Sequence, residues 1–124
     1  MAIDSQLTSF IREHVRSVWA LELLLLLRRD PERRWTAAEL VRELRASTML
    51  VADILRQFQA SGLAAQEDDD RFRYAPASSV LEALAIRLEA AYRKRPVAVI
   101  NLIAKPNHPL QSLADAFKFK GGDS

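Results

Sequence analysis

Chemistry at a protein site needs a nucleophile, a base, a set of metal ligands or an array of hydrogen-bond donors, and these 124 residues offer little of the first three. The two histidines, His14 and His108, lie far apart in the chain. His14 falls on the flank of an amphipathic stretch and His108 between Asn107 and Pro109, so they read as a packing residue and a loop residue rather than as general bases. Cysteine is absent, which excludes disulfides, thiolate nucleophiles and cysteine-ligated metals. Asp68, Asp69 and Asp70 are consecutive. Calcium loops place their carboxylates on alternate residues with a later glutamate, so this run reads as a solvated turn. With three glycines in the whole chain there is no phosphate-cradling loop. The expectation is a protein without catalytic residues, cofactor or metal.

Donors remain, and the elements that would position them centre on residues 36–63. Thr36 and Glu39 have capping-box spacing, and Trp35 and Leu40 fall where a hydrophobic staple would sit. Leu40, Val41 and Leu44 form one apolar stripe, and the helix should stop near Ala46 because Ser47 and Thr48 offer a new N-cap. A second helix then carries Val51, Ile54, Leu55 and Phe58 at i, i+3, i+4, i+7 and closes on Gly62. Two helices on so short a turn form a helix-turn-helix. Residues 63–67 and 71–75 are β-prone runs around the aspartates, with Phe72 and Tyr74 alternating with Arg71 and Arg73, so a hairpin follows.

Helix, helix-turn-helix and hairpin is the winged-helix order. Through WTAAELVRELRAS, the helix ending FQASGL and the hairpin AAQEDDDRFRYAP, the sequence resembles the winged helix-turn-helix superfamily, in particular small MarR-like transcriptional regulators, over roughly residues 19–76. The resemblance implies a non-catalytic regulator whose second helix enters the major groove of double-stranded DNA. The face opposite that helix's core shows Met49, Ala52, Asp53 and Arg56, flanked by Ser47, Thr48 and Gln57, and the wing adds Arg71 and Arg73. Arg56 and Gln57 suit base edges, and hydroxyls and N-terminal amides suit phosphates. Two features depart from the family pattern: an aspartate at 53, repulsive to phosphate unless it accepts from a cytosine amine, and the acidic wing tip. The alternative is a protein-interaction adaptor of the same fold with lost or weakened DNA binding, compatible with Met49 and Ala52 on the exposed face.

The rest of the chain reads as helical. One long helix is expected over residues 4–29, capped by Asp4 or Ser5 and ended before Pro31. Its first half is amphipathic through Leu7, Phe10, Ile11, His14, Val15 and Val18; its second, WALELLLLLRR, is apolar almost all round, as a helix buried on several sides would be. Glu22 within it faces solvent or partners Arg28 or Arg29. Residues 33–35 suit a short strand beside the wing. Ser79 and Glu82 repeat the capping-box spacing and open a helix with Leu81, Leu84, Ala85, Leu88 and Tyr92 on one face. Pro96 can begin another helix, although residues 97–104 suit a strand as well. A proline-rich turn follows at 105–109, and Leu110, Leu113, Ala114 and Phe117 make a last amphipathic helix.

The fold class expected is mainly α with a small β-hairpin (α+β), one domain over 1–124 with a long N-terminal helix and a C-terminal helical extension. The longest apolar run, residues 23–27, is far below the roughly 20 residues of a membrane span, and no signal peptide is evident, so a cytoplasmic protein with no membrane partner is expected. The formal charge of +2 permits an anionic partner without demanding one. The apolar excess of residues 21–27, 81–104 and 110–117 predicts a homodimer.

Overall fold

The structure is a computed structural model that describes residues 3–68 and 70–104. Asp69, His108, the turn at 105–109 and the helix expected at 110–117 lie outside the described residues. The elements are α1 (Ser5–His14), α2 (Val18–Arg29), β1 (Trp35–Thr36), α3 (Ala37–Leu44), α4 (Thr48–Ser61), β2 (Ala64–Glu67), β3 (Arg71–Tyr74), α5 (Ser79–Lys94) and α6 (Pro96–Ala104). Among the described residues this is a mainly helical fold with one small antiparallel sheet in the order β1-β3-β2.

The N-terminal stretch is two helices, which corrects the single helix expected over 4–29. Asp4 caps α1 as expected, its Oδ1 accepting from the Leu7 N–H at 2.9 Å. Val15 then leaves the helical region, with φ −122° and ψ 82°. Ser17 starts α2 afresh by accepting from the Ala20 N–H at 3.0 Å. The break lets the two pieces take different neighbours: α1 lies against α4, α5 and α6, while α2 packs on α3, β3 and α6. Leu21, Leu23, Leu24 and Leu27 are fully buried and Leu26 nearly so. Apart from Leu25, which is half-buried, the leucines of α2 are therefore covered within one chain, and this part of the apolar excess does not call for a second subunit. Glu22 is exposed, on the wall of an open cleft floored by Leu25, Leu26 and Leu44, and the cation Arg28 has other partners.

Thr36 and Glu39 form the expected capping box, with Thr36 Oγ1 accepting from the Glu39 N–H at 3.1 Å and Glu39 Oε1 from the Thr36 N–H at 2.9 Å. Trp35 and Leu40 on either side of it are buried. The helix ends at Leu44, a little before the expected stop, because Arg45 turns left-handed at φ 53°. Ser47 then caps α4 by accepting from the Leu50 N–H at 3.1 Å. Val51, Ile54, Leu55 and Phe58 all face the core, as their spacing predicts. Gly62 closes α4 at φ 81° and carries the chain into β2.

The sheet has three strands, the hairpin and the short strand expected beside it. Trp35 pairs with Phe72 and Thr36 with Arg71, so the short strand lies at 35–36 rather than 33–35 and joins the hairpin. The hairpin register sets Ala64 opposite Tyr74 and Glu67 opposite Arg71. Alternation then sends Trp35, Phe72, Tyr74 and Ala64 inward and Thr36, Arg71, Arg73 and Glu67 outward.

Behind the sheet, α5 is capped by Ser78, whose Oγ accepts from the Leu81 N–H at 3.1 Å, and not by Ser79. That shift removes Glu82 from the box position. Its carboxylate instead accepts from the Tyr74 hydroxyl at 2.9 Å. Arg28 completes the group: it donates to Glu89 at 2.7 Å, lies 3.8 Å from Glu82 and stands over the Tyr74 ring at 5.5 Å. Burial pushes the Tyr74 hydroxyl above its ordinary pKa. Residues 96–104, open between strand and helix on sequence, form α6, and only Val99 in it is fully buried. No described helix is long and apolar enough to cross a membrane.

Candidate nucleic-acid interface

The outer side of α4 is built by elimination. With Val51, Ile54, Leu55 and Phe58 committed to the core, a helix of 3.6 residues per turn sends Met49, Ala52, Asp53 and Arg56 to the other side. Ser47, Thr48, Met49, Arg56 and Gln57 are exposed, and Ala52 and Asp53 are half-exposed. The seven candidates on this helix and its cap thus share one accessible surface. Ser47 Oγ is occupied as an acceptor by the cap, which leaves its hydroxyl hydrogen free to donate. The first N–H groups of α4 carry the positive end of the helix dipole. Arg56 is not free: it forms an ion pair with Asp53 one turn back.

The hairpin of β2 and β3 divides its two candidate arginines. Arg73 is tied to Glu67, and it also donates to the Tyr74 carbonyl at 3.3 Å. Arg34 reaches the same carboxylate from the approach to β1, at 2.5 Å. Two guanidiniums, Arg34's first and then Arg73's, hold the Glu67 carboxyl below its ordinary range. Arg71 is exposed, and among the described residues it has no ion-pair partner. It is therefore the hairpin cation left without an ion pair among the described residues, whereas the charge of Arg73 is held by Glu67. At the tip, Asp68 is left-handed at φ 56°, a conformation aspartate tolerates, and Asp68 and Asp70 are exposed.

Two further cations belong to this surface and carried no signal in the apolar pattern. Arg45 stands in the turn between α3 and α4, and Arg42 lies one residue triplet before it; both are exposed. The turn geometry identifies Arg45, since a residue between the two helices must sit beside the N-terminus of α4; Arg42 lies in the last turn of α3.

Elsewhere, His14 is about one-quarter exposed, 5.4 Å from the Phe10 ring and 3.7 Å from Glu13, and it lines an open pocket with Arg16, Gln57, Ala60 and Ser61. Among the described residues no group of three histidine, cysteine, aspartate or glutamate side chains could hold a metal ion.

The charged pairs make stability depend on acid. The Asp4 carboxyl is lowered by the Leu7 N–H and then Arg87, Glu39 by the Thr36 N–H, and Glu67 by Arg34 and Arg73. A carboxyl with a depressed folded pKa adds stability that is complete above its unfolded value and is lost as pH falls through the folded one. Urea midpoints should therefore be level above roughly pH 5 and fall progressively below about pH 4. Glu67→Gln should flatten part of that acid slope.

Compared with models of protein families, with curated proteins and with solved structures, the chain matches none.

Proposed function

We propose that this chain is a winged-helix module that binds double-stranded DNA as a homodimeric, non-catalytic regulator of transcription, with α4 in the major groove and β2 and β3 as the wing. The observation that carries the reading is the three-residue turn Arg45-Ala46-Ser47 ahead of an α4 whose whole outer stripe is accessible, together with Arg42, Arg45 and Arg71, which are exposed and have no ion-pair partner among the described residues. Phosphates position such a helix and base edges specify it. The dimer is supported by α6, whose outward residues Val97, Ile100, Asn101 and Ala104 are apolar but for one amide, with Val97 70% exposed. Sedimentation at micromolar concentration should give twice the chain mass, and a monomer there removes the dimer from the reading.

Fluorescence anisotropy on mixed genomic fragments tests DNA binding. With Arg42, Arg45 and Arg71 as the phosphate contacts of each protomer, log K should fall against log salt with a slope of about 3 per protomer. Arg71→Ala should lower that slope by about one unit. Arg73→Ala should leave it nearly unchanged, because that charge is already held by Glu67. Replacing Asp68 and Asp70 by asparagine should tighten binding to all sequences by relieving repulsion from the backbone.

One observation favours the adaptor reading: Met49, on the same stripe, is 76% exposed, an apolar group that a protein partner would cover. No complex with DNA even at low salt, in a folded protein, ends the first reading and leaves this one.

A further inference from the structure

We propose that Asp53 and Arg56 act as one recognition unit, Arg56 on a guanine and Asp53 on a neighbouring cytosine amine, so that the preferred DNA site contains this G·C step. The inference rests on the DNA-binding reading and adds the base chemistry to it. Both side chains lie on the outer stripe of α4 and are paired with each other. Their opposite face is filled by core residues, so neither can turn to another partner inside the protein. An exposed ion pair at this spacing contributes little to the stability of a helix. Its effect is on orientation. A free arginine must surrender its rotamer freedom to make a bidentate contact, and the tie to Asp53 removes part of that freedom beforehand while leaving other N–H groups of the guanidinium to donate. The donors match guanine O6 and N7.

Asp53 then has lone pairs left over, and the major-groove donor that suits a carboxylate is the cytosine N4 amine. Thymine O4 and guanine O6 and N7 are acceptors and repel it, and the adenine N6 amine stands beside the N7 acceptor, so the cytosine amine is the donor without a repelling neighbour on its own base. A separation of three residues is about 4.5 Å along a helix, of the same order as the roughly 3.4 Å between successive bases. The aspartate that looks hostile to phosphate is thereby compatible with DNA when it faces the groove floor.

Selection from a pool of duplexes with a randomised centre tests this with three proteins. The wild type should enrich a guanine with an adjacent cytosine. Arg56→Ala should lose the guanine preference, and Asp53→Ala should still bind while its discrimination at both positions falls about tenfold. If Asp53→Ala instead binds every sequence more tightly by a common factor with an unchanged profile, Asp53 only repels the backbone and the inference is overturned. A wild type that binds the pool without enriching any sequence also overturns it, while leaving DNA binding intact. Absence of binding to the pool at low salt overturns the DNA-binding reading beneath it. Circular dichroism melts of the variants, expected to match the wild type, separate recognition from folding.

Discussion

Trp35→Ala is expected to lower the unfolding free energy by about 3–5 kcal/mol in urea titrations. The indole is 1% exposed, among the largest fully buried side chains, and it sits where β1, the sheet interior and the start of α3 meet. Its removal opens a cavity that a two-residue strand and a helix N-terminus cannot collapse to fill. The Arg33 guanidinium stacked 3.5 Å above the ring would lose its platform as well. Trp19, 47% exposed, supplies the control, since truncating it should cost far less. Thr36→Ala removes one cap and should cost about 1 kcal/mol. Equal small effects at Trp35 and Thr36 would show that the sheet and α3 do not meet through this side chain.

Gly62→Ala should destabilise by about 2–4 kcal/mol. Two independent terms add. At φ 81° any residue with a β-carbon is in the left-handed region, which costs roughly 1–2 kcal/mol. The added methyl would also lie 2.9 Å from the Ala77 β-carbon, which is fixed to the backbone and cannot rotate away. The strand exit is held there as well, by the Ala77 N–H donating to the Gly62 carbonyl at 2.7 Å and the Ala75 N–H to Leu63 at 3.0 Å. Gly62→Ala combined with Ala77→Gly should recover the contact part and leave the backbone part. A double variant as unstable as Gly62→Ala alone would place the whole effect in the backbone.

Sequence periodicity captured the elements whose signals are local. Thr36 with Glu39, Ser47, Gly62 and the Val51 to Phe58 stripe all determine structure through residues within four positions, so their reading needs no tertiary information. The break at Val15 was invisible for the opposite reason. Val15 continues the apolar stripe of α1 and Val18 belongs to either helix, so the pattern runs on through a corner that only packing requires. On sequence Ser79 is preferred to Ser78 as the cap because it alone has Glu82 three residues on, but Glu82 accepts from the Tyr74 hydroxyl across the fold and Ser78 caps the helix. The outer stripe of α4 was legible because its inner stripe was. Which arginines remain unpaired was not, because Glu67 meets Arg34 across 33 positions of chain. A cross-strand partner at that distance has no signature in spacing.

Arg28 gives the hairpin a stiff root. Its guanidinium holds Glu89 and Glu82 on α5 and touches Tyr74, the last residue of β3. The hairpin is pinned at a second place, beside its tip, where β1 pairs with Arg71 and Phe72. A beam held at two points divides its load: force applied at Asp68 or Asp70 passes through β1 into α3 and through Tyr74 and Glu82 into α5. Lengthening the hairpin would raise the lever arm beyond β1 and strain the pairing at Arg71 first.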